Sequence, residues 1–174
     1  MWWNVFWFEV NFSTKSIFAI KQTNFIDTVE IDISQDDREK IRKGVGADLN
    51  IYLENAIPID AFVKATVTDE NYIPLFILTK NQDGIDSLKF LGSQVNSGTG
   101  QIISPTTTLN SIILNSDKVL QLSNAHHIII STTVNTSNAG NENPNPPTVQ
   151  FKSSDWLNIK CYGKVKYHVG SEGN

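Results

Sequence analysis

An alternation of apolar and polar residues with a period of two recurs along most of this chain, and it constrains the fold more than any other feature. In residues 157–169 the apolar side chains occupy most odd positions, while lysine and asparagine occupy even ones. Successive side chains of a β-strand point to opposite faces of a sheet, so this pattern is typical of a strand with one buried face. The same pattern appears in residues 6–13, 28–33, 49–54 and 59–67. The chain is therefore predicted to be all-β.

Two short helices interrupt the predicted strands. Ser34 suits the start of the first helix, and Gly44 suits the left-handed position just after its end. Ser116 and Asp117 are predicted to cap the second helix. Many short strands with two brief helices indicate an antiparallel β-sandwich with one or two short peripheral helices. A length of 174 residues indicates a single domain, 1–174.

The two least regular regions lie at the start of the chain and near its end. Residues 1–33 are expected to form N-terminal strands that continue from a missing upstream region, because Trp3 and Trp7 make both faces of the first strand apolar. The apolar start lacks the basic segment and cleavage site of a signal peptide, so the signal of an exported protein would lie upstream. Residues 136–147 are rich in Asn and Pro and are predicted to form a mobile loop.

The charge of the chain argues against nucleic-acid binding. The formal net charge is −4 and the pI is about 5.3, whereas phosphate binding requires a clustered excess of Lys and Arg. Lys160, Lys164 and Lys166 would share one strand face, which indicates a solvated face rather than a polyanion site. The longest apolar stretch is also far shorter than the roughly 20 residues that span a bilayer, so we expect no membrane-spanning segment.

The sequence offers poor candidates for nucleophilic or metal chemistry. Cys161 falls on the apolar side of its strand and is predicted to be a buried, inert thiol. His126 and His127 are adjacent, so on a strand their side chains point to opposite faces and cannot chelate one ion. We therefore predict that the chain has no metal site and no cofactor.

Paired carboxylates could hydrolyse glycosides if two of them met across a cleft. The candidates all fall in predicted turns or at helix caps, where aspartate is expected for backbone reasons alone. These candidates are Asp36, Asp37, Asp69, Glu70, Asp83, Asp86 and Asp155. We predict no catalytic residues and no enzymatic activity.

Aromatic residues have the most functional potential, since exposed flat rings can stack on sugars or anchor a protein partner. Several lie on faces predicted to point outward. The predicted aromatic platform comprises Trp2, Trp3, Trp7, Trp156 and Tyr162, and Tyr52 and Phe62 are further aromatic residues of this kind. The alternative is that a second sheet or a neighbouring domain covers these rings.

Three segments resemble C-terminal β-sandwich modules of large, uncharacterised bacterial surface and secreted proteins. The segments are residues 49–60, 104–108 and 154–160, and the resemblance covers residues 47–169. The Asn-Ala-Ile-Pro-Ile stretch at 55–59 also distantly resembles the sandwich of late-embryogenesis-abundant water-stress proteins. The resemblance implies an extracytoplasmic, non-enzymatic module and assigns no functional residue.

Three functions are compatible with the sequence. The first is a non-catalytic structural or interaction module of a bacterial envelope or secreted protein, with other domains of a longer polypeptide or a protein as partners. The second is a carbohydrate-binding module that uses the aromatic platform. The third is a small hydrolase with paired loop carboxylates, which no motif in the sequence specifically favours.

Overall fold

The computed structural model describes residues 16–20, 22–81, 84–137 and 148–167. The strands are β1 (Ser16–Phe18), β2 (Thr23–Glu30), β3 (Gly44–Asn55), β4 (Ile59–Thr68), β5 (Pro74–Ile77), β6 (Leu88–Phe90), β7 (Gln94–Val95), β8 (Ile102–Ser104), β9 (Thr106–Asn115), β10 (His127–Thr136), β11 (Val149–Phe151) and β12 (Leu157–Tyr167). The helices are α1 (Gln35–Arg42) and α2 (Ser116–Leu122). Of the predicted N-terminal region, residues 1–15 and 21 lie outside the described residues, as do residues 138–147 of the predicted loop.

Two antiparallel sheets form the sandwich. The wide sheet has the strand order β2-β10-β4-β5, with β6 also pairing with β4, and the narrow sheet has the order β12-β3-β9. Two small ladders, β1 with β11 and β7 with β8, lie outside these sheets. The predicted all-β antiparallel sandwich with two short helices is confirmed.

The main core lies where β9 of the narrow sheet packs over β5 and β6 of the wide sheet. Leu88, Ile112, Leu114 and Val119 are all buried there. Side chains from β3 and from both helices pack against this cluster, namely Ile41, Ala47, Leu49, Ile51, Phe76, Leu78, Phe90 and Leu122. Burial of a Leu or Ile side chain contributes about 1.5–3 kcal/mol, so this cluster holds one side of the sandwich together.

The helix ends agree with the sequence in part. The Ser34 hydroxyl accepts a hydrogen bond from the Asp37 amide at 3.2 Å, as expected for the residue that caps α1. The predicted left-handed conformation of Gly44 is wrong, because Gly44 already begins β3. A Cβ atom there would lie 2.9 Å from Cγ1 of Val119, so the glycine serves close packing of β3 against α2. The cap of α2 is Asn115, one residue before the predicted cap.

A buried corner carries the chain from the narrow sheet to the wide sheet. Asn55 ends β3, and its side-chain oxygen accepts a hydrogen bond from the Ile57 amide at 2.8 Å. Its side-chain nitrogen donates to the carbonyls of Ile59 at 3.2 Å and Leu91 at 3.1 Å. Pro58, which cannot donate to a ladder, lies between the two strands. The Asn55 amide therefore fixes the path between the two layers.

The prediction that Cys161 is sealed in the interior is wrong. Cys161 lies opposite Ile51 in the ladder and so belongs to the inward face of the narrow sheet, yet it is exposed. Val165, also on that face, is 41% exposed. The alternation assigned the face correctly, but no described residues of the opposite layer cover this part of it.

We predict that Asn55→Ala destabilises the fold by about 1–3 kcal/mol, because it removes the acceptor of the Ile57 amide and leaves two partly buried carbonyls without their donor. Chemical denaturation followed by tryptophan fluorescence measures the change. Asn110→Ala is the matched control: that side chain makes one exposed hydrogen bond, to the Lys89 carbonyl, and its loss should cost at most about 0.5 kcal/mol. Equal losses in the two variants would contradict the role of the corner.

Candidate functional site

The outward face of the narrow sheet carries a row of aromatic and polar side chains, which we call the outer face. In the ladders Tyr52 lies between Lys160 on β12 and Leu109 on β9, and Tyr162 lies opposite Asn50. Directly paired residues share a face, and alternate residues such as buried Leu53 point inward. The outer face comprises Asn50, Tyr52, Glu54, Leu109, Ser111, Asn158, Lys160 and Tyr162.

Glu54 organises the centre of the outer face. One of its carboxylate oxygens accepts a hydrogen bond from the Tyr52 hydroxyl at 2.8 Å, and the other accepts from the Asn158 amide at 3.2 Å. The Lys160 ammonium lies 5.7 Å from the centroid of the Tyr52 ring, within range of a cation–π contact. The hydrogen bond to Glu54 raises the pKa of Tyr52 above its ordinary value. The Tyr52 ring is therefore held in one orientation by polar partners on the surface.

The structure brings two members of the predicted aromatic platform to this face. The Trp156 carbonyl accepts from the Ala56 amide at 2.9 Å, which extends the β3–β12 ladder and places Trp156 on the same face as Tyr162. Trp156 is 39% exposed and Tyr162 is 50% exposed. Six residues of strand separate them by about 20 Å, and Tyr52 lies between. The other platform members, Trp2, Trp3 and Trp7, lie outside the described residues.

Sequence reasoning left Tyr52 out of the platform. The alternation assigns it an outward position, but its place between Trp156 and Tyr162 follows from the register of β3 against β12. These strands are about a hundred residues apart in the chain, and the alternation of each strand alone carries no information on their relative register.

The carboxylates of the turns serve the backbone or pair with nearby lysines. Asp69 Oδ1 accepts hydrogen bonds from the amides of Asn71 and Ile73, both at 2.9 Å, which is the geometry of an Asx turn. Asp86 lies 3.3 Å from the Lys64 ammonium and 3.9 Å from that of Lys80. Asp36 and Asp37 occupy the first turn of α1, and Asp83 lies outside the described residues. Asp69 thus has the turn role that the sequence predicts, whereas Asp86 pairs with lysines instead.

The two adjacent histidines have separate surroundings. The His127 ring stacks on Tyr72 with centroids 4.2 Å apart, and its Nδ1 lies 3.1 Å from the Asp69 carbonyl oxygen. The His126 ring centroid is 6.5 Å from that of His127. Within the described ranges, no group of three or more His, Cys, Asp or Glu side chains is placed to hold a metal ion.

An apolar cavity of about 310 Å³ opens between the two sheets, next to the corner. Its walls come from β3, β4, β6, β12 and the corner itself. They are Ile51, Leu53, Asn55, Ile57, Ile59, Ala61, Val63, Phe90, Leu157 and Ile159. Cys161 follows Ile159 on the same face. Although Cys161 is exposed by area, partial desolvation raises the pKa of its thiol, so the thiol is mostly protonated near neutral pH and is a weak nucleophile.

None of the described helices is long and apolar enough to cross a membrane. No protein-family model matches the chain, and no curated protein matches it.

Solved structures give distant similarities. A protein of Parabacteroides distasonis named a "putative secreted protein" has 12% identity and a TM-score of 0.46, and the match covers 82% of this chain and 38% of that chain. The structure of the infectious bursal disease virus Gx strain has 8% identity and a TM-score of 0.43, with 97% and 33% covered. This chain thus spans well under half of both. At these identities and TM-scores neither likeness carries an argument about function.

Asp155 gives a testable pH dependence. It is 6% exposed, and burial raises its pKa above the ordinary value of 3.8, although its Oδ2 accepts a hydrogen bond from the Lys152 amide at 2.7 Å. A raised folded-state pKa means that the folded state holds the proton more tightly than the unfolded state does. The contribution of Asp155 to stability is therefore complete below the unfolded pKa and is lost as the pH rises through the folded one.

We predict that the free energy of unfolding of Asp155→Asn at neutral pH is at least that of the wild type, because the asparagine keeps an acceptor for the Lys152 amide and removes the buried charge. At acid pH, where Asp155 is itself protonated, the two proteins should have the same free energy of unfolding. Denaturation at several pH values measures both. Asp155→Ala is the control, since it leaves the Lys152 amide without its partner and should cost about 1 kcal/mol. An Asp155→Asn variant less stable than the wild type at neutral pH would refute the assignment.

Proposed function

We propose that this chain is a non-catalytic structural and interaction module of an extracytoplasmic bacterial protein, either in the envelope or secreted. Its partners are other domains of a longer polypeptide or a separate protein. The segments that resemble sandwich modules of bacterial surface proteins support the location. The exposure of β2 is the observation that carries the interaction role.

All eight residues of β2 are exposed, although the strand is paired with β10 along its full length. Phe25 is 56% exposed and Val29 is 45% exposed on the inward face, and Ile26 is 75% exposed on the outward face. Among the described residues no strand lies along the other edge of β2. A long edge strand with apolar side chains is a template for pairing with another chain, so β2 supports docking of a partner at Ile26.

The roles of the polar groups support a non-catalytic module. Asp69 and Asp155 accept hydrogen bonds from backbone amides, and Asp37 and Asp86 pair with lysines. His127 is stacked on Tyr72, and the pKa of Cys161 is raised. Nucleophilic catalysis requires a nucleophile beside a base that a third group orients, and none of these contacts has that arrangement. The module therefore contributes a rigid body and surfaces rather than turnover.

A photo-crosslinking residue placed at position 26 of the protein expressed from its own gene, with any upstream coding region retained, tests the proposal. We expect crosslinks to one partner or neighbouring domain, and fractionation should place the products outside the cytoplasm. Position 39 is the control, since Glu39 is exposed on α1 and should give no such product. Equal crosslinking from both positions, or a cytoplasmic location, would overturn the proposal.

A second candidate function is carbohydrate binding by the outer face. Trp156, Tyr52 and Tyr162 lie along one surface, with the Glu54 carboxylate and the Asn158 amide beside the Tyr52 ring. Aromatic rings for stacking and polar groups for hydroxyls are the elements of sugar recognition. This arrangement supports a site for an extended glycan rather than a single sugar, because the outermost rings are about 20 Å apart.

Calorimetric titration against a glycan panel tests this candidate. If a glycan binds, Trp156→Ala should weaken its affinity at least about tenfold, or about 1.4 kcal/mol. Tyr72→Ala is the control, because Tyr72 is 57% exposed but lies on the loop before β5. The absence of heat with every glycan, or equal effects of the two variants, would remove the carbohydrate-binding function.

A further inference from the structure

A polar pocket of about 380 Å³ lies where the two helices meet the turn between β4 and β5. Two arginines of α1, Arg38 and Arg42, and two carboxylates of the turn, Asp69 and Glu70, are among its lining residues. The volume lies within the range of roughly 300–1,000 Å³ that is typical of small-molecule sites. A pocket of this size with charges of both signs on its walls favours a small, charged ligand.

Ser123, which is only 1% exposed, holds both arginines at the end of α2. Its carbonyl accepts a hydrogen bond from Nη1 of Arg38 at 2.7 Å, and its hydroxyl oxygen accepts one from Nε of Arg42 at 3.3 Å. That hydroxyl donates to the Leu120 carbonyl at 2.7 Å. Nε of Arg38 donates to the Ile33 carbonyl at 3.1 Å. The protein thus orients both guanidinium groups without the help of a ligand.

The two guanidinium groups keep donors that the protein does not use. Within the described ranges, neither Nη atom of Arg42 has a hydrogen-bond partner, and the same holds for Nη2 of Arg38. Capping of the last carbonyls of α2 accounts for one contact of Arg38, but it leaves these donors free. The planar guanidinium group matches the two oxygens of a carboxylate. The arginine side of the pocket is therefore suited to a carboxylate group.

The turn supplies the opposite charge from a fixed position. Oδ1 of Asp69 accepts hydrogen bonds from two amides of the turn, whereas its Oδ2 has no partner among the described residues. The Asp69 carbonyl oxygen lies 3.1 Å from Nδ1 of His127, whose ring stacks on Tyr72 of the same turn. Glu70 is exposed beside it. The turn side of the pocket is therefore suited to an ammonium group.

The charges of the pocket do not neutralise one another. The ion pairs of the described residues join other side chains, so neither arginine is paired with Asp69 or Glu70. The two carboxylates would repel a simple anion, and the arginines would repel a simple cation. A ligand with a carboxylate and an ammonium group a few bonds apart satisfies both sides. A free α-amino acid carries these two groups on a single carbon.

From these observations we propose that the pocket binds a free α-amino acid. Arg38 and Arg42 hold its carboxylate, and Asp69 and Glu70 hold its ammonium group. The amides of Gln35 and Asn124, which also line the pocket, favour a polar side chain on the ligand.

This inference does not depend on the proposed function, which requires a partner at Ile26 of β2. Either one can fail without the other, because their experiments use different residues and different readouts.

NMR of the backbone amides of the full chain, during titration with L-serine and with L-glutamine, tests the proposal. We expect saturable shifts at residues 69–70 and 123–126, with a dissociation constant of about 1 mM, since ion pairs in an open pocket are weak. Sodium propionate and ethylammonium chloride carry one of the two charges each. Both should bind at least about tenfold more weakly than the amino acids.

Two results of the titration would overturn the proposal. The absence of saturable shifts with both amino acids would show that the pocket is only a solvated surface. Propionate or ethylammonium that binds as tightly as the amino acids would indicate a site for a single charge.

Charge removal in the pocket gives matched variants. Asp69→Asn removes a charge but keeps a side-chain oxygen for the amides of the turn, and Arg42→Gln removes an exposed guanidinium group. Each should weaken binding of L-serine at least about tenfold. Glu39→Gln and Lys43→Gln are the controls, because these residues are exposed on the same segment but do not line the pocket. Both controls should bind as the wild type does.

The comparison of the variants has two outcomes that contradict the proposal. Equal losses in the pocket variants and the controls would indicate a general effect of charge. A loss with Arg42→Gln but not with Asp69→Asn or Glu70→Gln would indicate a site for anions. Circular dichroism checks that each variant is folded, and Glu70→Gln, at an exposed position, replaces Asp69→Asn if the turn is disturbed.

Discussion

The structure depends on the burial of the inward side chains of β3 and β9 against β4, β5 and β6. Ile112, Leu114, Val119 and Leu88 form the densest part of this contact, and both helices pack around it. Because the residues that pack together here come from both helices and from β3, β5, β6 and β9, the contact cannot form until several strands are paired. The corner at Asn55 links the two layers through the three hydrogen bonds of the Asn55 side chain.

Much of the fold follows from local rules. A period of two is a property of single strands, so β3, β4, β9, β10 and β12 could be predicted one at a time. Ser34 could be identified as a helix start because its hydroxyl acts within one turn. The role of Gly44 could not be predicted in this way, because a glycine is needed there to leave room for Val119, which belongs to α2.

Burial is the property that local rules predicted least well. The alternation assigned Cys161 to the inward face, but whether an inward residue is covered depends on which residues of the opposite layer lie across from it. The same reasoning applies to the outer face: Trp156 and Tyr162 were identified individually, and Tyr52 joined them only through the register of β3 against β12. Sequence reasoning thus recognises faces, while pairing determines which faces become interior and which become surfaces for recognition.

The pairing of β12 with β3 also bears on how the protein assembles. Leu157 meets Asn55 across about a hundred intervening residues, and β3 is the central strand of its sheet. Synthesis adds roughly 5–20 residues per second, so β3 is complete several seconds before its partner β12 emerges from the ribosome. For several seconds the nascent chain exposes an unpaired central strand with apolar residues on one side. Such distant pairings slow folding, so this chain should depend on chaperones more than a sandwich of consecutive hairpins would.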